Sequence, residues 1–170
     1  SIWLMAALLD HVDPDGLLEF SVVFTDRSLN HMSASFKQVM IDISDMLKQV
    51  YCADAVAIVP GGGTFGMEAV ARQFGRDSKV LVVRNGWFSY RWSQIFEAGG
   101  FTAETHVIKA RQSDNGRQAA FSPAPIDAVV AQIRADKPDV VFAPHVETSA
   151  GVILPDAYIT ALAAAAHEVG

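Results

Sequence analysis

The sequence has 170 residues, 51% of them apolar and 19% charged, with a mean hydropathy of +0.23. That composition excludes a disordered chain and suits one ordinary domain, or a large piece of one, able to bury roughly two-thirds of its unfolded surface without a disulfide or metal staple. The single Cys52 can form neither an internal disulfide nor a cysteine zinc cluster, and a net charge of −6 is opposite to the footprint of a general nucleic-acid binder.

Residues 2–9 are the longest apolar run, far short of the roughly 18 to 20 residues needed to span a bilayer. No basic region precedes the run and Asp10, His11 and Asp13 follow it, so it reads as a helix seeking an apolar surface rather than a signal peptide, and the cytoplasm is expected. Phe36, Val39, Met40, Ile43, Met46, Leu47 and Val50 then recur at the spacing of a helix with one buried stripe, with Ser33 or Ser35 able to cap its start. Residues 55–59 are a short apolar run closed by Pro60 and three glycines, the pattern of a strand buried on both faces.

From there strand, loop and helix alternate. Residues 64–74 are helical in composition, 79–83 form a second buried strand, and 88–98 form a helix ending at Gly99 and Gly100. Residues 102–108 alternate as a strand, and 110–122 read as an irregular excursion. Residues 126–135 are a helix, 139–143 a strand, and 155–168 an alanine-rich helix. The alternation implies an α/β three-layer sandwich with a mostly parallel sheet. Ligands of such sheets bind beyond the carboxyl ends of the strands, which selects the loops at 60–66, 84–91 and 144–151.

Pro60-Gly61-Gly62-Gly63-Thr64 lets backbone N–H groups approach an anion at a helix start, so a phosphate would fit; a purely structural glycine turn is the bland alternative. Gly61, Gly63 and Gly66 also satisfy a dinucleotide fingerprint. Arg84 and Asn85 stand where NAD would require an acidic residue, which leaves an NADP-like variant open. No Lys-Ser or Lys-Thr pair follows the glycines, so the nucleotide-hydrolase loop fails. In the second loop, Trp87, Phe88, Tyr90 and Trp92 could stack on a flat heteroaromatic ligand or anchor helix to sheet. In the third, His145 and Glu147 lack the cysteine pair of a zinc deaminase, and neutral hydrogen bonding by Thr148 or Ser149 is the more economical use. His11, His31, His106 and His167 show no ligand spacing, and no metal site is expected.

Taken in order, Gly62-Gly63-Thr64 with Gly66-Met67-Glu68, then Asn85-Gly86-x-Phe88-Ser89-x-Arg91-Trp92, then His145-x-Glu147-Thr148-Ser149-x-Gly151-Val152 resemble the class V aminotransferases. These are pyridoxal 5'-phosphate (PLP) enzymes that include alanine–glyoxylate and serine–pyruvate transaminases. The resemblance runs from about Leu29 to the end. It implies the N-terminal part of the large domain of a PLP-dependent transferase fold, with residues 29–170 as part of the cofactor-binding domain and 1–28 as a separate N-terminal segment, a candidate dimer-contacting arm. It also implies a homodimer with the active site at the subunit boundary, and a small amino acid and a 2-oxo acid as substrates.

Residue by residue, the resemblance makes Gly62, Gly63 and Thr64 the cradle of the cofactor phosphate, with Gly62 where a serine is common. It makes Phe88 the aromatic that stacks on the pyridine ring, one position after the tempting Trp87, and Thr148 the hydroxyl that contacts the phenolic oxygen. His31, in Asn30-His31-Met32-Ser33, resembles a His-Arg segment near the substrate, with Met32 replacing the arginine. The family's pyridinium-binding aspartate and Schiff-base lysine lie downstream of the His-x-Glu-Thr-Ser motif. None of Lys37, Lys48, Lys79, Lys109 and Lys137 sits there, so the chain is expected to hold no catalytic residue and to be the N-terminal part of a larger enzyme. An NADP-dependent oxidoreductase and a non-catalytic ligand-binding fragment are the alternatives.

Overall fold

The structure, a computed structural model, describes residues 34–170. The chain divides into two compact units, residues 1–58 and 59–170; His31, Ser33 and the 28/29 boundary lie outside the described residues. In the first unit the expected helix is present as α1 (Ala34–Tyr51). Its Phe36, Met40, Ile43 and Leu47 are half-buried, while Val39, Met46 and Val50 are exposed, so the stripe is narrower than its periodicity suggests. Ser35 falls inside the helix rather than capping it. Gln38 bonds Asp42 at 2.8 Å and Lys48 bonds Asp45 at 3.1 Å along its polar side.

The second unit carries the remaining elements. They are α2 (Gly63–Phe74), β1 (Lys79–Arg84), α3 (Trp87–Gly99), β2 (Glu104–Lys109), β3 (Arg111–Gln112), β4 (Phe121–Ser122), α4 (Ile126–Asp136), β5 (Val140–Phe142), β6 (Val146–Glu147), β7 (Val152–Ile153) and α5 (Asp156–Val169). A parallel sheet runs β2-β1-β5, with Val80 opposite Thr105 on one side and Val140 on the other. Successive residues of β1 alternate between two cores. Val80 and Val82 pack with Ala71, Ile95, Phe96, Phe101 and Phe142, joined by Met67 and Trp92, under α2 and α3. Leu81 and Val83 pack with Val129, Ile133, Leu162 and Ala165 against α4 and α5. This is the three-layer α/β/α arrangement that the alternation implied, with three valines and a leucine wholly buried in the central strand.

Two short antiparallel pairs modify the expectation. Residues 110–122 are not wholly irregular, because Arg111 and Gln112 pair with Ser122 and Phe121. Val146 and Glu147 pair with Ile153 and Val152 around a 3-10 turn, Thr148–Ala150. Residues 55–59 are a correction. They form no strand, and Ile58 and Val59 are each 42% exposed. An apolar run signals a demand for burial, but a strand exists only through a ladder partner, and among the described residues none pairs with it.

The chain leaves β1 for α3 on one face, whereas after β5 it passes through β6 and β7 to α5 on the other. A crevice therefore opens at the carboxyl ends of β1 and β5, the place where open α/β sheets bind ligands.

Candidate functional site

Two helices present their amino ends near this crevice, and they are finished differently. α3 starts at Trp87 with first-turn N–H groups that a helix cannot satisfy internally. All three of the first are taken by the loop after β5, 58 to 62 positions away in sequence. Ser149 Oγ accepts from Trp87 N at 2.7 Å, Glu147 Oε1 from Phe88 N at 3.0 Å, and Glu147 Oε2 from Ser89 N at 2.8 Å. The carboxylate also accepts from Ser89 Oγ and Ser149 Oγ, each at 2.6 Å. Ser89 Oγ in turn accepts from Asn85 N at 2.8 Å and Gly86 N at 3.1 Å.

Glu147 is wholly buried. Burial pushes its pKa up, but the hydroxyls of Ser149 and Ser89 and the backbone N–H groups of Ser89 and Phe88 outweigh that and hold it below the usual carboxylate range. The positive end of the helix dipole adds to the same balance. Gly86 is obligatory for the arrangement, since a Cβ there would stand 2.5 Å from Ser149 Oγ and 2.7 Å from Glu147 Cγ.

α2 is left open. Gly62 occupies the cap position with no side-chain hydrogen bond. A Cβ at Gly62, Gly63 or Gly66 would meet no atom within 4 Å, so those glycines border free space. The backbone that requires glycine is at Gly61, where φ is +125° and a side chain would strike the Phe65 ring. Thr64 Oγ1 accepts from Arg91 Nη1 at 2.7 Å, which ties the glycine loop to α3. The internal carboxylate thus occupies the amino end of α3, whereas no side chain caps that of α2.

The structure brings Gly62, Gly63, Thr64, Phe88 and Thr148 into one compact unit, linked through Arg91 and Glu147. Phe88 is 51% exposed and Thr148 lies in the exposed 3-10 turn. Neither of the two cavities flanking Trp87 is lined by any of these five. One, of about 500 Å³, is bordered by Arg84, Asn85, Trp87, Tyr90, Lys109 and Phe121 among others. The other, of about 400 Å³, lies between Glu68, Trp87 and Arg91. Asn85 is 2% exposed with neither amide atom hydrogen-bonded. Among the described residues no group of three His, Cys, Asp or Glu could hold a metal, and no helix is long and apolar enough to cross a membrane.

Sequence reasoning missed Glu147, Ser89 and Asn85 as site residues. Glu147 carries one signal, a carboxylate followed by two hydroxyl residues shortly after an apolar strand, but its backbone partners lie too far along the chain for spacing to reveal them.

No protein-family model matches the chain. It is similar to a 2-aminoethylphosphonate–pyruvate transaminase of Pseudomonas putida strain F1, with 28% identity over 131 residues, covering 76% of this chain and 32% of the relative. It is similar also to a soluble hydrogenase small subunit of Synechococcus, 31% identical over 127 residues, covering 74% and 31%. Among solved structures, ureidoglycine–glyoxylate aminotransferase from Bacillus subtilis superposes with a TM-score of 0.62 at 22% identity, over 81% of this chain and 34% of that one. The chain spans about a third of the length of these curated relatives. Its fold is that of an aminotransferase structure, and its sequence is transaminase-like at low identity and partial coverage.

Proposed function

We propose that this chain forms the phosphate-holding and ring-stacking wall of a PLP-dependent aminotransferase of class V. The observation that carries the reading is the contrast between two helix starts at one end of the sheet. α3 is closed by a buried carboxylate, and α2 is glycine-lined, uncapped and open. The residues fit the group. Free space beside Gly62 and Gly63 admits a phosphate to the first turn of α2. Phe88 is half exposed, and Thr148 is exposed.

In this reading the backbone N–H groups at Gly63 and Thr64 bind the phosphate and the Phe88 ring covers one face of the pyridine. Thr148 donates its hydroxyl hydrogen to the ring oxygen. When bound, the cofactor supplies an electron sink for breaking bonds at an amino acid's α-carbon. The reading gives no lysine of this chain the covalent tether and no aspartate of it the pyridinium contact. A small amino acid and a 2-oxo acid are the substrate classes; 2-aminoethylphosphonate and pyruvate, named in the Pseudomonas relative, are the first pair to assay. Residues 29–170 belong to the cofactor domain and residues 1–28 to a dimer-contacting segment of a homodimer.

An NADP reading has less support, because its glycine fingerprint should follow a strand and residues 55–59 form none. PLP and NADP added separately to the full chain, with thermal unfolding followed, distinguish the two. PLP should raise the melting temperature and NADP should not. Borohydride should fix no stoichiometric cofactor label on any lysine, and this chain alone should move no labelled amino group from alanine to a 2-oxo acid. Stabilisation by NADP alone would overturn the reading, as would a stoichiometric lysine label with turnover.

A further inference from the structure

We infer that Glu147 is a positioning residue that locks the ring-contacting parts of the site, Phe88 and Thr148, into one rigid piece while leaving the phosphate cradle at α2 independent of it. The inference rests on the cofactor reading above and goes beyond it.

Glu147 precedes Thr148 directly, and both of its oxygens are used on the start of α3. Oε1 accepts from Phe88 N at 3.0 Å and Ser149 Oγ at 2.6 Å; Oε2 accepts from Ser89 N at 2.8 Å and Ser89 Oγ at 2.6 Å. The hydroxyl of Ser149 extends the lock to Trp87 N. Four donors therefore converge on one wholly buried carboxylate, the geometry in which charge-assisted hydrogen bonds are strongest and loss of a partner is most costly. Among the described residues, the hydrogen bond that joins the α2 start to α3 is Arg91–Thr64, and no hydrogen bond of Glu147 reaches residues 61–66. A ligand that touches only the cradle should be indifferent to Glu147, whereas one that also touches Phe88 and Thr148 should depend on it.

Glu147→Gln keeps the shape and reverses one end of the polarity. Whichever oxygen becomes the amide nitrogen then faces a backbone N–H, donor against donor, and α3's first turn is released. The experiment titrates the full wild-type and E147Q chains with PLP and, separately, with inorganic phosphate, and follows amide hydrogen exchange at Phe88 and Ser89.

The lock should show as faster exchange at both amides in E147Q. PLP affinity should fall at least about tenfold and the bound cofactor's absorption maximum should move, while phosphate affinity stays within about twofold of wild type. Equal loss for PLP and phosphate would mean a general structural role and overturn the inference, and unchanged PLP affinity would overturn it as well. If wild type itself binds no PLP, the cofactor reading fails and takes the inference with it, an outcome distinct from the other two. Should E147Q fail to fold, Ser149→Ala, which removes the Trp87 and Oε1 partners only, is expected to show the same selectivity at about threefold, and equal loss for both ligands there overturns the inference.

Discussion

Gly86 caps α3 and Gly63 is the first residue of α2, yet their surroundings predict opposite tolerances. A Cβ at Gly86 would press on Ser149 Oγ and on Glu147 Cγ and Cδ at 2.5 to 2.8 Å. Gly86→Ala should therefore cost about 1 to 3 kcal/mol in urea denaturation, the usual range for overpacking. Gly63→Val should leave stability within about 0.5 kcal/mol and instead weaken PLP, because its side chain would fill the space beside the cradle; unchanged PLP binding would favour a purely structural loop. The strain that a positive φ would have added at Gly63 does not arise, since the left-handed glycine is Gly61. On the same surface, Phe88→Ala should weaken PLP more than Trp87→Ala, by about 0.5 to 1.5 kcal/mol of stacking. A larger loss for Trp87→Ala would move the stacking role one residue earlier, onto the ring that lines both cavities. The glycines of the 60–66 loop stand out in the sequence because loop composition is local, whereas the roles proposed for Phe88 and Thr148 come from the family resemblance. Glu147 was not, because a carboxylate's value depends on what the fold places around it.

At the scale of elements, the helices were read well where apolar spacing and a glycine stop coincide. α3 ends at Gly100 with φ +58°, as the paired glycines suggested. α4 ends instead at Lys137 with φ +48°, a left-handed conformation that costs a side-chain-bearing residue about 1 to 2 kcal/mol. Lys137→Gly should stabilise the protein, with the gain reduced to about 0.5 to 1 kcal/mol by the extra freedom of glycine in the unfolded chain. A lowered urea midpoint would show that the lysine has a compensating role. Strands were legible only where both faces are buried. β1 announced itself through Val80 to Val83, whereas β6 and β7 are two residues each with alternating exposure, too short for any period. Residues 55–59 failed for the converse reason, an apolar run without a ladder partner.

The three-layer architecture follows from the order of elements alone, and it places at opposite ends of the sheet two carboxylates whose contribution to stability is lost in acid. Asp136 closes the amino-terminal side of the sheet, accepting from Gln132 at 2.6 Å and pairing with His106. Burial pushes its pKa up, but hydrogen bonds from His106 and Gln132, with the charges of His106 and Lys79, hold it below its ordinary value. Glu147 is depressed likewise at the opposite end. A carboxyl whose folded pKa lies below its unfolded one contributes stability above the unfolded value, and that contribution disappears as pH falls through the folded value. The urea midpoint should thus lose these contributions below about pH 4, where unfolded carboxyls begin to protonate, and E147Q should lose less over that window. Loss set in at pH 6 to 7 would implicate a histidine instead. The two cores also differ in kind. Trp92, Phe96, Phe101 and Phe142 form a chain of ring contacts with centroids 4.6 to 6.5 Å apart beneath α2 and α3, while the α4 and α5 side is aliphatic but for Tyr158. The 59–170 unit is thus optically lopsided: its near-ultraviolet dichroism should report chiefly on the α2–α3 layer, and loosening of the aliphatic layer should register there mainly through Tyr158.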